Sequence, residues 1–427
     1  MKEESKWKEN ESARLKDVVG MNLRSLPETT SDDYEFRYVD IGSVDSSGEI
    51  NFDESITFSQ APSRARRIVR ENDVIISTVR TYLRAIAAIR FDPADVIVST
   101  GFAVCSPRPN VVPQYLSYAL RCDDVMDWIC AESTGISYPA INSSKLSAVS
   151  LPYPPLPAQR VIAAYLDEKT AAIEAKVKVL GEMLEKFRKL KTAIINRAVT
   201  RGLNPNVKLK DSGVDWIDQV PEGWKIERLK TIGERSGCLF TDGDWINYED
   251  ISEEGVRYFT TGNVGVGVFK EQGQGYVTEE TFKRLNCLAV YGGDLIISRL
   301  NLPIGRACIL PKEYEKCIVA VDCVVFRPGK EYDKSYLVYA MSTTRYLDKA
   351  LLLARGTTMM RITRTQLGNM EVPVPPLPEQ RAIAAYLDEK CAKIDEAAAI
   401  VEKQIDAYKR LKRSLINEVV TGKKKVA

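Results

Sequence analysis

The chain contains no histidine. That removes the commonest general base and metal ligand, and with it Ser-His-Asp, Cys-His and His-Glu-x-x-His machinery. Carboxylates or lysines could still catalyse, so an enzyme is disfavoured rather than excluded. None of the nine cysteines (Cys105, Cys122, Cys130, Cys238, Cys287, Cys308, Cys317, Cys323 and Cys391) forms a Cys-x-x-Cys pair, which argues against a zinc ribbon or a thioredoxin-like site. An odd number of scattered thiols fits a reducing compartment, with most of them acting as small buried hydrophobes. No run approaches the ~18 apolar residues that span a membrane. The charged start "MKEESKWKENESARLKDVV" lacks the apolar segment of a signal peptide. No membrane partner and a cytoplasmic location are expected.

Net charge is also scarce, at +2 over 427 residues. A protein that gripped DNA alone over a long surface would be more basic. Nucleic-acid binding must therefore use local patches or charge borrowed from other subunits. The rest of the composition, 44% hydrophobic and 28% charged, is that of a globular chain long enough for two or three domains.

What the sequence does hold is a repeat. "LPYPPLPAQRVIAAYLDEKTAAIEAK" at 151–176 returns as "VPVPPLPEQRAIAAYLDEKCAKIDEA" at 372–397, displaced by 221 residues, and roughly half the positions from Pro152 to Thr200 are identical to their counterparts. The same displacement carries "QYLSYAL" onto "SYLVYAM" and "DVIIST" onto "DLIISR", while "RLKDVVG" (Arg14–Gly20) echoes "RLKTIGE" (Arg228–Glu234) at a shorter one. This is one domain duplicated in tandem, not a solenoid. Each copy begins with short β-rich runs bounded by Gly, Pro and Asp. Short helices around Tyr115 and Tyr336 follow, then a polar loop, a proline hinge and a long helix. An α+β fold is expected: two pseudo-repeated α/β heads separated by two long helices. Its divisions are a first head at 1–150, hinge and helix at 151–204, a second head at 205–371, and hinge and helix at 372–427.

Ile173, Val177, Leu180, Leu184 and Phe187 step by alternating fours and threes, and Leu190 and Ile194 extend the stripe. Ile394, Ala398, Val401, Ile405, Tyr408, Leu411 and Leu415 do the same in the second copy. Such spacing is a coiled-coil seam, and each helix of ~40 residues would run ~60 Å at 1.5 Å per residue. Equal length and matched phase favour an antiparallel pairing of the two helices in one chain. Packing of each stripe on its own head or on a partner protein stays open. Pro152, Pro154, Pro155 and Pro157, with their counterparts Pro373, Pro375, Pro376 and Pro378, hold each hinge extended. Pro157 and Pro378 stand at helix starts, where proline is tolerated, just ahead of Gln159 and Gln380. A plain linker would do as much once, but repetition of the pattern points to a functional exit angle. Two like heads on paired helices have the geometry of a DNA-binding dimer fused into one chain.

The doubled PPLPxQR hinge with IAAYLDEK, the "GDLIISR" strand and the Gly-Thr loops "STGISYPAINSSKL" and "RGTTMMRITRTQL" resemble the DNA-sequence specificity subunit of Type I restriction–modification systems. The resemblance covers nearly the whole chain. It implies two target recognition domains flanking two antiparallel conserved helices, and a bipartite, asymmetric DNA site with an unspecified spacer. It implies assembly with double-stranded DNA and with two methyltransferase (modification) subunits that use S-adenosylmethionine to methylate adenine, and leaves room for restriction subunits that cut DNA using ATP and Mg. The chain itself would carry no cofactor and no catalytic residue. Opposite "VPEGWKIERLK" in the second copy, the first has only "SKWKENESARLK".

Candidate DNA contacts fall in three places. "SRARRIVR" groups Arg64, Arg66, Arg67 and Arg70, suited to phosphate and guanine, or to a solvated charged face. After the strand, Arg80, Tyr82 and Arg84 interleave base and aromatic, and the second copy has Arg299, Asn301 and Arg306 there. Arginine and asparagine read guanine and adenine bidentately, although a structural turn would also use this loop. The Gly-Thr loops offer Thr134, Ser137, Tyr138 and Asn142 in one copy, and Thr357, Thr358, Arg361, Thr363 and Arg364 in the other. These groups position phosphates or close the head on its helix. The basic runs "KFRKLK" and "YKRLKR" read as solvated helix faces, or as phosphate contacts along a spacer.

Gly262, Gly265 and Gly267 lack nucleotide-loop spacing and read as a hairpin turn. No Walker A run or Asn-Pro-Pro-aromatic methyltransferase motif is present, and "LDEK" reads as helix-surface charge. The rival readings are a coiled-coil scaffold joining two protein-binding heads, and a self-contained methyltransferase or nuclease.

Overall fold

A computed structural model describes residues 11–45, 48–52, 54–233, 238–273 and 275–426. The first ten residues, part of the expected first head and of its "SKWKENESARLK" opening, lie outside the described residues, as does Glu234 of "RLKTIGE". The chain forms two compact units, Met1–Gly181 with Glu402–Ala427, and Glu182–Val401. The divisions fall inside the long helices, so each unit holds one head and half of each helix.

In the first unit, the apolar runs expected to be strands are strands. Val74–Ser77 and Phe102–Pro107 lie at the centre of a four-stranded antiparallel sheet, flanked by Ile86–Ala88 and Val19–Met21. Val74, Ile75 and Ile76 are buried on both faces, which explains a continuous apolar run rather than an alternating one. A second sheet has the order Ile56–Thr57, Glu35–Val39, Val96–Ser99, Ala65–Ile68, with its two middle strands parallel. Helices Pro113–Leu120 and Asp123–Ala131 follow.

The second unit repeats this plan. Leu239–Asp242, Cys323–Arg327, Leu295–Ser298 and Ala307–Ile309 make the antiparallel sheet. Gly275–Val277, Val256–Phe259 and Cys317–Val319 make the other, again with a parallel pair. Helices Lys334–Ala340 and Thr344–Leu353 follow. A hairpin of Leu209–Val214 and Ile217–Pro221 precedes this head.

The hinges are not free linkers. Ser150–Pro152 pairs with Ser12–Arg14, and Glu371–Val374 with Lys225–Arg228, so half of each hinge is a strand of a two-stranded ribbon that ties the two ends of its head together. The prolines sit there because an edge strand does not need every N–H.

The helices run Leu156–Arg201 and Leu377–Val420, 46 and 44 residues, longer than expected. They pair antiparallel in both units. In the first, Leu166 shares a core with Ile416, Val419 and Val420, and Glu174 meets Lys412 at 2.5 Å. In the second, Ala198 and Val199 share a core with Ile383, Ala384 and Leu387, and Lys191 meets Asp395 at 2.6 Å. The seam departs from the expected stripe at one place in each helix. Leu190 and Leu411 are 47% and 53% exposed, while Lys191 and Lys412 point to the partner helix. Continued strictly in fours and threes, the step after Phe187 lands on Lys191 and after Tyr408 on Lys412. Heptad phase outweighs the apolar character of a neighbouring leucine.

All nine cysteines are free and seven of them are buried.

Candidate nucleic-acid interface

In the first head the strand Val74–Ser77 runs out onto Thr78, whose N–H and hydroxyl both donate to the Gly101 carbonyl, at 2.8 and 2.9 Å. Arg80 then turns into the left-handed region with φ 51°, and its N–H donates to the Pro139 carbonyl at 2.7 Å. The Gly-Thr loop closes as a small hairpin. Thr134 and Ala140 exchange two backbone bonds of 2.9 Å, and Gly135 supplies φ +113°, a conformation that a Cβ opposes. The two loops therefore form one surface.

The second head builds the same surface 221 residues on. Asn301 has φ 59° and donates its N–H to the Met360 carbonyl at 3.1 Å. Arg355 and Arg361 exchange two bonds of 2.9 Å, and Gly356 has φ +107°.

On this shared frame the side chains differ. In the first head the Arg80 guanidinium stacks 4.5 Å from the centre of the Tyr138 ring, and Tyr82, Ser137 and Tyr138 are exposed. Arg84 turns inward to Asp123 at 2.7 Å and Asp127 at 3.5 Å. Burial raises the Asp123 pKa, but the guanidiniums of Arg84 and Arg413 outweigh it and hold the carboxyl below its ordinary value. The arginine cluster starts beside this surface: the Arg64 carbonyl accepts from Thr100, the neighbour of Gly101. Arg64 and Arg70 are exposed, Arg67 is half-buried, and Arg66 lies 4.6 Å over the Phe58 ring. Asn142 caps a short helix, accepting from the Lys145 N–H at 2.8 Å.

In the second head Asn301, Thr357 and Thr358 are exposed, but two of the arginines are not. Arg299 is 3% exposed and Arg306 7%. Arg306 donates to the carbonyls of Val264, Leu300, Asn301, Pro303 and Thr261, so its guanidinium braces the loop it stands in and ties it to the Thr261–Val264 turn. Arg299 donates to the carbonyls of Ile362 and Val321 and lies 3.0 Å from Asp242. Burial lowers the pKa of both, with Asp242 opposing at Arg299. Arg361 pairs with Asp322 at 2.7 Å, and Arg364 lies 3.6 Å from Asp242. Thr363 caps the helix Arg364–Gly368.

Gln159 and Gln380 hold each head to its helix. Gln159 is 0% exposed and Gln380 1%. The Gln159 Oε1 accepts from the Val112 N–H at 2.9 Å, and its Nε2 donates to the carbonyls of Pro154 at 2.9 Å and Asn110 at 3.4 Å. Gln380 makes the equivalent bonds with Asp333, Pro375 and Glu331 at 2.8, 2.8 and 3.2 Å. Tyr115 and Tyr336 add a hydroxyl bond to the carbonyls of Pro152 and Pro373, at 2.8 and 2.9 Å. Pro155, Pro157, Pro376 and Pro378 bracket these contacts; the helices begin at Leu156 and Leu377, one residue before Pro157 and Pro378.

Among the described residues no cluster of three or more His, Cys, Asp or Glu could hold a metal ion. The Gly262–Gly267 segment is a turn, closed by a bridge between Val264 and Phe269. The "LDEK" acids have more than a surface role, since Asp167 and Asp388 each accept a tyrosine hydroxyl, from Tyr118 and Tyr339, at 2.7 Å.

Sequence reasoning missed Asp242 and Asp322, which pair with Arg299, Arg361 and Arg364 in the second head. Each acid lies far along the chain from its partners, so spacing carries no sign of the pairing. The tyrosine–aspartate bonds were open to discovery, because both partners recur at the same displacement.

A family model described as the Type I restriction modification DNA specificity domain matches residues 7–180 and again 221–404. The MjaVIII Type I specificity subunit of Methanocaldococcus jannaschii is 24% identical over 318 residues, covering 73% of this chain and 70% of that protein. The MjaIX specificity subunit of the same organism is 24% identical over 424 residues, covering 97% and 90%. The EcoKI specificity subunit of Escherichia coli is 24% identical over 209 residues, covering 48% and 44%. In fold, the chain is similar to one from a solved structure described as the structural basis of complex assembly and conformational transition of the type I R-M system, with TM-score 0.73, 24% identity, and coverage of 98% and 99%. No helix among the described residues is long and apolar enough to cross a membrane. A duplicated head, a doubled hinge and a family match falling once on each copy lead to one conclusion: the chain belongs to the DNA specificity family of Type I restriction–modification systems, as a non-catalytic specificity subunit.

Proposed function

We propose that the chain reads an asymmetric, bipartite site in double-stranded DNA and positions two modification subunits on it, in the cytoplasm, with restriction subunits joining the complete assembly. S-adenosylmethionine, ATP and Mg then belong to those partners. One observation carries the reading. The two heads hold the same loop pair in the same backbone conformation, yet Arg80 faces Asn301 across the repeat, and Tyr138 faces Met359. A constant frame with divergent exposed side chains is what two different half-sites require. Phosphate contacts position such a protein and side chains at base edges specify the sequence. The length of the paired helices sets the unspecified spacer. The arginines committed to internal carbonyls shape the loops, and the exposed Arg64 and Asn301, with the half-buried Arg80 on its exposed Tyr138, meet DNA.

The test is a genome-wide map of N6-methyladenine with and without this gene. The expected result is a gapped motif that vanishes on deletion. A map unchanged by the deletion counts against the reading.

A further inference from the structure

We infer that Gln159 and Gln380 are positioning residues that set the angle at which each head leaves its helix, and that this angle, together with helix length, holds the DNA spacer to a single length. The inference rests on the proposed reading of a gapped site and adds to it the residues that make the gap strict.

Each glutamine is buried and uses its whole amide on backbone groups of two separate segments. One is the hinge itself, through the carbonyl of Pro154 or Pro375. The other is the turn before the short helix of the head, through Asn110 and Val112 or through Glu331 and Asp333. The side chain therefore ties three things at one point: the extended hinge, the first turn of the long helix, and the body of the head. A buried amide with all its bonds made tolerates little rotation, because any tilt strands a desolvated carbonyl or N–H. An apolar contact at the same place would slide.

The lever makes the angle matter. A head of this size has a radius of about 20 Å, and one base pair advances the DNA by about 3.4 Å. A tilt of about 10° at the hinge thus moves the reading loops by about one base pair. The helices alone cannot supply that strictness, since stiff rods with loose heads would accept neighbouring spacers.

The experiment uses the chain assembled with its modification subunits and a DNA library carrying both half-sites of the methylation map. Spacers run from two base pairs shorter to two longer than the native one. Gln380→Met keeps the side chain's length and removes its hydrogen bonds. Tyr336→Phe deletes the hydroxyl's bonds, to the Pro373 carbonyl at 2.9 Å and the Val199 carbonyl at 3.4 Å, and leaves the ring in place. The expected result for Gln380→Met is at least a tenfold rise in methylation of off-length spacers relative to the native spacer, with half-site preference unchanged. Tyr336→Phe should shift the same ratio by a smaller factor. An unchanged spacer profile in an assembled Gln380→Met complex overturns the inference, as does an equal loss of methylation at every spacer length. If Gln380→Met fails to assemble, Tyr336→Phe decides alone, and its unchanged profile overturns the inference. Failure of the parent reading looks different: the wild-type complex would then show no preference for the gapped site at all.

Discussion

Glu174 pairs with Lys412 at 2.5 Å, and moving each residue to its counterpart across the repeat gives Asp395 with Lys191, paired at 2.6 Å. The same ion pair occurs once in each unit, with acid and lysine on opposite helices. Polar residues at seam positions specify register and orientation in coiled coils at a cost in stability. Here they favour the antiparallel register that brings each lysine opposite an acid.

That pairing is testable by charge exchange. Lys412→Glu should destabilise the chain by about 1 kcal/mol, and the double change Glu174→Lys with Lys412→Glu should recover most of it. Glu174 is half exposed, so the coupling energy is expected to be about 0.5–1 kcal/mol. Urea denaturation of the four members of the cycle measures it. Additive single effects would show that the pair contributes nothing.

The seam assignment makes a second prediction. Leu190→Ala should change stability by less than about 0.5 kcal/mol, as for other exposed positions. Ile173→Ala, at a buried seam position, should cost about 2–4 kcal/mol. A large loss at Leu190 would restore the simpler reading in which the leucine stripe itself is the interface.

Arg299 and Asn301 should separate cleanly. Arg299→Ala leaves Asp242 with only Arg364, 3.6 Å away, and deprives two carbonyls of their donor, and should cost about 2–4 kcal/mol. Asn301→Gly accepts the left-handed backbone and should stay within about 0.5 kcal/mol of the parent, while altering preference at the second half-site alone. Thermal melts and the methylation motif of the assembled complex check both halves. Altered preference at the first half-site would count against the assignment.

The thiols give a fourth check. Burial pushes Cys105, Cys308 and Cys317 up to about 12, so almost no thiolate is present at neutral pH. Only the partly exposed Cys130 and Cys238 should react promptly with Ellman's reagent in the native chain, and all nine after denaturation. Prompt reaction of more than two thiols would contradict the packing of the sheets.

Much of this architecture was open to reading from the chain. The strands around Ile75 and Ile296 are bare apolar runs, and the helices announce themselves by period, because burying one face of a regular element requires regular spacing. The candidate site was less open. Arg80 and Arg299 look equally suited to DNA in the sequence, yet one stacks on an exposed tyrosine and the other is buried. The difference lies in Asp242, at the end of a strand, and Asp322, in a turn, both well away from Arg299 along the chain.

The sequence by itself determined the duplication, the two helices and the hinge, since each is a local pattern written twice. Only the tertiary structure decided that Gln159 and Gln380 lock the heads to their helices, that Lys191 and Lys412 rather than Leu190 and Leu411 continue the seam, and that Arg306 ties its own loop to the Thr261–Val264 turn. Those outcomes depend on which backbone groups and charges the fold brings within about 3 Å, and contacts between segments far apart in sequence leave no periodic trace along the chain.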